Sequence, residues 1–311
     1  MDQTSHHNTF LSILFACTAF FLFSAADVCV KYFSNLGYSN HIMLTYSSAI
    51  AFTIAFVYIL IQKGPKGFKP VKPIRLHIIR MLSLTIGTIA IVYALEYMPL
   101  TEFYAIVFLI PFCIALSTGI ILKEEIGPFR WIAICGGFLG AIISISGNLS
   151  NPAEIPFIGI VYSVATVIFI SGSYLVIRKM GHGEYTPLFP LYAQISIFVF
   201  NIWFALPDLV LPPMSEWLIW IIYGGSIFGA VMLVSSAYTL APVAAIPAPF
   251  QYTQIIWGLL FGIFLFNESP EITTLIGIAI IITSGLFMIW QEYLTTQRRK
   301  KTQESIVIDS P

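Results

Sequence analysis

Two ionisable side chains, Asp27 and Lys31, lie within the first long apolar stretch of the chain, at positions 10–32. They are four residues apart, so a helix places them one turn apart on the same face. An ionisable side chain inside an apolar span costs about 3 kcal/mol or more, and it therefore usually faces a cavity or a partner. Asp27 can bind a substrate ammonium or a proton, while Lys31 tunes it or meets a substrate carboxylate. The alternative is an ion pair that fixes the first span, with Lys31 extending to the surface.

A second polar group lies near the C-terminus. Gln251 and Gln254 are three residues apart on one helical face, with Tyr252 and Trp257 close by in the sequence. Amides donate and accept hydrogen bonds, and aromatic rings suit a planar ring or an ammonium, so these types fit a cavity for an organic solute. The alternative is hydrogen bonding between helices, worth about 1 kcal/mol or less per contact. Aromatic residues on other predicted spans favour the cavity: Tyr93, Phe108, Tyr174 and Tyr238.

The stretch that begins at Pro99 contains two further candidates, Glu102 and Pro111. Glu102 either forms a gate or caps the first helical turn, where a carboxylate is favourable. Pro111 removes a backbone donor in the middle of the predicted span and leaves the Val107 carbonyl without its helical partner. Such a carbonyl can line a polar path, although a proline kink can also serve packing alone. Two prolines early in the ninth predicted span, Pro247 and Pro249, predict an irregular first half there.

These residues belong to a chain that is too apolar for a water-soluble globule. Of its 311 residues, 58% are hydrophobic and 10% are charged, and the mean hydropathy is +0.86. Because a span needs about 20 mostly apolar residues, the sequence predicts a membrane protein with short connections between helices. Ten spans are predicted: 10–32, 41–62, 75–95, 101–122, 131–147, 156–177, 187–207, 217–238, 244–266 and 272–293.

Positive side chains predict the orientation, because Lys and Arg near span ends are retained on the cytoplasmic side. They gather around the second, fourth and sixth connections and after the last span, whereas the opposite connections are mainly acidic. The basic residues are Lys63, Lys66, Lys69, Lys72, Arg75, Arg80, Lys123, Arg130, Arg178, Lys179 and Arg298 to Lys301. Both termini are therefore predicted to be cytoplasmic, which agrees with an even number of spans.

An internal repeat relates the two halves of the chain. The stretch from Pro99 to Glu125 returns as Pro242 to Glu268 at a constant offset of 143 positions. Since each copy contains five predicted spans, the second copy must cross the membrane in the opposite direction. Inverted repeats are typical of secondary transporters, whose halves rock around a midplane site. The predicted repeats are 10–147 and 156–293, between cytoplasmic tails at 1–9 and 294–311.

Several motifs together resemble the drug/metabolite transporter superfamily, in particular its EamA-type branch of ten-span carriers. They are ADVCVKYFS with Asp27 and Lys31, YALEYMPLTEFYAIVFLIPF after Arg80, KEEIGPFRWIAICGGFLGAII from Lys123, SYLVIRKMG from Ser173 and SAYTLAPVAAIPAPFQYTQIIWGLLFG from Ser236. The resemblance implies that the fourth and ninth spans border a central cavity. It also implies that small residues of the fifth and tenth spans either pack at a homodimer edge or brace each half. One departure is Tyr46, where relatives often carry an arginine.

The sequence thus predicts an all-α polytopic carrier of two inverted five-helix repeats in a bacterial inner membrane. It is expected to move a small organic metabolite by alternating access. The resemblance implies amino acids and related compounds as cargo, or a cofactor such as S-adenosylmethionine or riboflavin. An enzyme is not predicted, because no nucleophile with its base and no metal cluster is evident in the spans. A passive channel and a non-transporting scaffold or sensor remain alternatives. The expected partners are the substrate and the lipid bilayer, with a homodimer left open; no cofactor, metal or nucleic acid is predicted.

Overall fold

A computed structural model describes residues 2–97, 103, 106–123, 126–146, 157–181, 183–244, 246–266 and 272–308. Over these residues the chain is helical, without β-strands, and contains ten α-helices. They are α1 (Asp2–Asn35), α2 (Asn40–Lys63), α3 (Ile74–Tyr97), α4 (Ile110–Ile121), α5 (Pro128–Ser146), α6 (Phe157–Met180), α7 (Leu188–Ala205), α8 (Trp217–Leu240), α9 (Thr253–Phe266) and α10 (Ile272–Ile308). Eight contain segments long and apolar enough to cross a membrane, and α4 and α5 provide shorter apolar segments. The predicted ten-helix fold is confirmed.

Local sequence signals explain where α2 begins and ends. The Ser39 hydroxyl caps its first turn by accepting a hydrogen bond from the Ile42 amide at 3.4 Å. Gly64 follows its last residue with φ of 59°, a conformation that glycine adopts without steric cost. A short 3₁₀ helix at Gly64–Phe68 follows, and Pro70 and Pro73 then separate it from α3. The second helix is therefore delimited by its own sequence.

Contacts between connections define the two ends of the bundle. We call the end that holds the connections after α2, α6 and α8 the tail end, and the Ser12 hydroxyl near the start of α1 donates to the Ala237 carbonyl there at 2.8 Å. We call the other end the hairpin end, where α1 turns into α2. There the Tyr38 hydroxyl donates to Glu216 Oε2 at 2.8 Å. The start of α1 therefore lies at the tail end.

Helix packing follows the internal repeat. Exchanging the first five helices with the last five maps the most extensive contacts onto one another. The packing of α1 on α8 corresponds to that of α6 on α3, and the contact of α1 with α9 corresponds to that of α6 with α4. The pairs α2–α7 and α5–α10 map onto themselves. Glycines allow similar close approaches, because a β-carbon at Gly229 would lie 2.9 Å from Leu22 and one at Gly87 would lie 2.8 Å from Ile170. The two halves are thus related as inverted repeats.

Small residues bring α5 and α10 together within one chain. A β-carbon at Gly140 would lie 2.8 Å from the Gly277 carbonyl oxygen, and one at Gly136 would lie 2.5 Å from the Ser284 hydroxyl. Backbones approach this closely only where side chains are minimal. These contacts join α5 of the first half to α10 of the second, and a homodimer edge at these glycines stays a prediction.

Proline shapes the fourth and ninth spans differently. The ninth begins with turns and a 3₁₀ segment at Ala248–Tyr252 before α9, which confirms the predicted irregular first half. The fourth is interrupted by a turn at Phe108 and Leu109, and Pro111 lies in the first turn of α4. The span is thus interrupted next to Pro111, where the sequence predicted the break. Proline suits a first helical turn, because the amide that it lacks would have no helical acceptor there.

Candidate functional site

The Asp27 carboxylate joins α1 to α9. Gln254 Nε2 donates to Asp27 Oδ2 at 2.8 Å, and the Ser24 hydroxyl, one turn earlier on α1, donates to the Gln254 carbonyl at 3.2 Å. The Asp27 side chain is exposed although protein atoms surround it densely. It therefore lines an opening within the bundle. Lys31 is also exposed, one turn closer to the hairpin end.

Tyr223 of α8 completes this neighbourhood, and the sequence analysis did not identify it. Its ring is 3% exposed, it lies beside the Ser47 hydroxyl, and it interacts electrostatically with Asp27. Finding Tyr223 requires both the offset between the repeats and the knowledge that α1 packs on α8. The sequence contains the offset, but only the structure shows the packing. The carboxylate thus has a hydrogen-bond partner on α9 and an electrostatic neighbour on α8.

The segment around Gln254 holds further polar atoms. Within the described part of the chain, Gln251 Oε1 and Trp257 Nε1 are buried without hydrogen-bond partners. The Trp257 ring packs edge-on against Phe21 of α1, with centroids 5.1 Å apart. Buried polar atoms are nearly always hydrogen-bonded, so an unpartnered acceptor and donor on one segment suit water or a polar solute. The predicted group of Gln251, Gln254 and Trp257 is thus assembled beside α1.

Tyr252 and Phe108 occupy the packed interface between the interrupted spans. The Tyr252 hydroxyl donates to the Phe108 carbonyl at 3.1 Å, and the two rings lie 5.9 Å apart. Gly137 of α5 faces the Tyr252 ring directly. Tyr252 is 1% exposed and Phe108 is 3% exposed. In this conformation both link the fourth and ninth spans by packing, and neither lines the opening at Asp27.

Tyr174 and Tyr238 form a separate group toward the tail end. Their rings stack with centroids 4.9 Å apart at 13°, and both side chains are buried. Arg80, which the charge pattern placed with the cytoplasmic connections, is instead buried in the bundle and interacts electrostatically with Tyr174. The difference arises because α3 begins at Ile74, so Arg80 lies more than one turn inside the helix.

Tyr93 belongs to a third group, at the hairpin end. Its ring stacks on Tyr162 with centroids 5.4 Å apart and lies 6.3 Å from the His41 ring. His41 Nδ1 in turn lies 3.0 Å from Asn201 Oδ1. The aromatic residues predicted to form one cavity are thus distributed over three levels of the bundle. Glu102, the proposed gate, lies outside the described residues.

The described residues also bear on metal chemistry. Within the ranges given above, no three His, Cys, Asp or Glu side chains come together as a group that could hold a metal ion. The arrangement around Asp27 combines one carboxylate, amides and aromatic rings. Such a set can recognise a cationic organic solute by charge, hydrogen bonding and ring contacts.

Comparisons with known proteins identify relatives. The model of the EamA-like transporter family matches residues 10–146. An S-adenosylmethionine uptake transporter from Rickettsia bellii is 29% identical over 277 residues, which cover 86% of this chain and 90% of that protein. A riboflavin transporter from Vibrio cholerae is 25% identical over 300 residues, covering 94% and 98%. An uncharacterized transporter from Helicobacter pylori is 30% identical over 218 residues, covering 65% and 69%. A crystal structure with 16% identity superposes with a TM-score of 0.76 and covers 92% of this chain and 98% of that one.

Proposed function

Because the chain belongs to the EamA-like transporter family, we propose that this transporter of a small organic metabolite carries S-adenosylmethionine or a closely related amino-acid compound, with Asp27 as the contact for its positive charge. The observation that carries the proposal is the hydrogen bond between Asp27 and Gln254 in an accessible opening. There the carboxylate meets a neutral amide, so its charge is available to a cationic solute.

Chemistry distinguishes the two cargoes named for the relatives. S-adenosylmethionine contains a sulfonium, an ammonium, a carboxylate and an adenine ring, whereas riboflavin is neutral. A carboxylate within a membrane span is energetically costly. A cationic cargo would compensate its charge, whereas a neutral cargo would not. Phe21 and Trp257, on the same two helices as Asp27 and Gln254, provide aromatic rings for a planar ring or a sulfonium. These features favour the sulfonium compound.

Alternating access explains the different exposure of the two ends. Asp27 is exposed, while the Tyr174–Tyr238 stack is buried and Arg178 donates to the Ala241 and Pro242 carbonyls at the tail end. Rocking of two inverted halves around a central site would open the tail end and close the other. In this proposal the repeats at 10–147 and 156–293 are the moving halves.

The proposed membrane is the bacterial inner membrane, with the tail end in the cytoplasm. Basic side chains support this orientation, because Lys63, Lys66, Lys69 and Lys72 all lie at the connection after α2. The acidic residues Asp208 and Glu216 lie near the hairpin end. Asp27 would then be reached from outside the cell, as uptake requires.

Counterflow into proteoliposomes tests the cargo and the role of Asp27 together. Vesicles are preloaded with unlabelled S-adenosylmethionine, and uptake of labelled S-adenosylmethionine, methionine and riboflavin is followed. We expect saturable uptake of S-adenosylmethionine that falls at least about tenfold in Asp27→Asn, corresponding to ~1.4 kcal/mol. Asp208→Asn, which changes an exposed carboxylate near the hairpin end, is the matched control and should transport normally.

The other outcomes separate the alternatives. Uptake of riboflavin alone would reject the cationic cargo. Flux that does not saturate would indicate a channel, and binding without flux would indicate a sensor. Normal transport by Asp27→Asn would remove Asp27 from the site while leaving the cargo assignment intact.

A further inference from the structure

Arg80 is a buried cation that the mechanism around Asp27 does not use. Its side chain is 2% exposed, Nη1 donates to the Phe189 carbonyl of α7 at 2.8 Å, and the guanidinium carbon lies 5.1 Å from the centre of the Phe189 ring. Within the described part of the chain, Nε is buried without a hydrogen-bond partner. The guanidinium therefore retains binding capacity toward the interior of the bundle.

The charge of Arg80 is not balanced by an acid. Among the described residues, no carboxylate lies within ion-pair distance of its guanidinium. A buried charge is costly unless it is paired, and intramembrane arginines usually face a pathway or an anion. One backbone carbonyl and one phenylalanine ring leave most of this cost uncompensated.

The inverted repeat relates Arg80 to the neighbourhood of Asp27. Helices α3 and α8 begin and end 143 positions apart, so Arg80 corresponds to Tyr223. Aligning α1 with α6 at an offset of 147 makes Tyr174 the counterpart of Asp27. Tyr223 interacts electrostatically with Asp27, and Arg80 interacts in the same way with Tyr174. The pair at one end thus contains an acid with a phenol, and its counterpart contains a phenol with a guanidinium.

We propose that Arg80 binds the carboxylate of the cargo when the tail end opens, as the counterpart of the contact that Asp27 makes with the positive group. This assignment rests on the proposed cargo and deepens it: the transported molecule must bear an anionic group as well as a cationic one. Guanidinium groups suit this task because their N–H donors match the two oxygens of a carboxylate.

The arrangement around Arg80 explains how the subsite stays closed in this conformation. Tyr174, which interacts electrostatically with Arg80, stacks on Tyr238, and the Tyr238 hydroxyl is buried without a partner in the described residues. Phe189, whose carbonyl accepts from Arg80, belongs to the first turn of α7. Separation of α3 from α7 and α8, as the two halves move apart, would expose the guanidinium and this hydroxyl together. A carboxylate could then accept hydrogen bonds from both groups.

The test compares two cargoes that differ in the carboxylate. Counterflow of S-adenosylmethionine and of its decarboxylated form, which keeps the sulfonium and the ammonium, is measured for wild type, Arg80→Gln, Arg80→Lys and Arg178→Gln. We expect Arg80→Gln to lower the rate for S-adenosylmethionine relative to the rate for its decarboxylated form at least about tenfold, or ~1.4 kcal/mol. Arg80→Lys keeps the positive charge, so it should retain at least part of the wild-type preference for S-adenosylmethionine over the decarboxylated form. Arg178→Gln removes a guanidinium that binds backbone carbonyls, and it should leave the ratio unchanged.

Each remaining outcome decides between the two proposals. If Arg80→Gln slows both cargoes equally, Arg80 has a structural role, and if it changes neither rate, Arg80 has no role in transport. Either result rejects only this inference. If correctly folded wild-type protein transports neither compound, the proposed cargo is wrong and the assignment of Arg80 to its carboxylate is rejected with it. If Arg80→Gln does not fold, Arg80→Lys decides alone: wild-type discrimination supports the charge contact, and lost discrimination in a folded protein overturns it.

Discussion

Glu184→Gln should destabilise the tail end, because the Glu184 carboxylate holds two connections together. It accepts hydrogen bonds from the Val71 amide at 3.1 Å, the Lys72 amide at 2.7 Å and the Tyr185 amide at 3.0 Å, and its Oε2 lies 3.0 Å from His77 Nε2. The first two amides belong to the connection before α3, and Glu184 itself belongs to the connection before α7. One carboxylate thereby fastens the first half of the chain to the second.

The magnitude follows from the number of donors. Hydrogen bonds to charged groups are worth about 1.5–3 kcal/mol each, and an unsatisfied buried donor costs about 1–3 kcal/mol. Glutamine keeps one acceptor oxygen but presents an NH₂ group to the remaining donors. We therefore expect Glu184→Gln to lose about 2–4 kcal/mol of unfolding free energy. Thermal unfolding of the detergent-solubilised protein should show a melting temperature lower by several degrees.

The pH dependence gives the sharper test. Burial raises the pKa of Glu184, but hydrogen bonds from the Lys72 amide, His77 and the Val71 and Tyr185 amides outweigh it and hold the pKa below its ordinary value. A lowered folded-state pKa stabilises the protein above the unfolded-state pKa, and that contribution is lost as pH falls through the folded-state value. The difference between wild type and Glu184→Gln should thus be full at neutral pH and shrink below about pH 4.5, near the unfolded-state pKa of a glutamate.

Two results would refute this reasoning. Equal melting temperatures of wild type and Glu184→Gln at neutral pH would mean that the carboxylate does not stabilise the contact between the two connections. A difference that stayed constant down to pH 3 would mean that its charge is not what stabilises the contact. Asp208→Asn, at an exposed position near the hairpin end, supplies the comparison and should melt like wild type at neutral pH.

Two further substitutions test the packing of the halves by thermal unfolding. Gly140→Ala should cost about 1–3 kcal/mol, because its methyl group would lie 2.8 Å from the Gly277 carbonyl oxygen, a backbone atom that cannot rotate away. Gly285→Ala on α10 has no atom within 4 Å of the new methyl group and should unfold like wild type, so equal losses in both variants would contradict the close contact. Tyr252→Phe leaves the Phe108 carbonyl without its 3.1 Å donor and should cost about 1–2 kcal/mol, and an unchanged melting temperature would show that this bond contributes little.

Much of the fold could be predicted because membrane insertion depends on composition along the chain. The positions of the apolar stretches gave ten spans, and the offset of 143 with an odd number of spans per copy gave the inversion. Pro247 and Pro249 also predicted the irregular start of the ninth span, which the 3₁₀ segment at Ala248–Tyr252 confirms. These features need only local rules and a comparison of the chain with itself.

Side-chain partners were harder to predict, because these helices are apolar around most of their circumference and periodicity does not fix which face meets which neighbour. Arg80 illustrates the difficulty: it was grouped with the connections by sequence proximity, although its side chain enters the bundle. Tyr93 was grouped with Tyr174 by residue type, although it stacks on Tyr162 at the hairpin end. The role of each predicted site residue stays a prediction that the transport assays test.

The sequence by itself determined that the chain spans a membrane ten times in two opposed halves. It also placed an ionisable side chain, Asp27, inside a span, where such a group usually faces a cavity or a partner. Only the tertiary structure decided that Asp27 binds Gln254, a residue 227 positions away, and that Arg80 lies buried against Phe189. The physical reason is that hydrophobic insertion fixes how deep each residue lies, whereas the rotation and tilt that bring side chains together come from close packing between helices far apart in the chain.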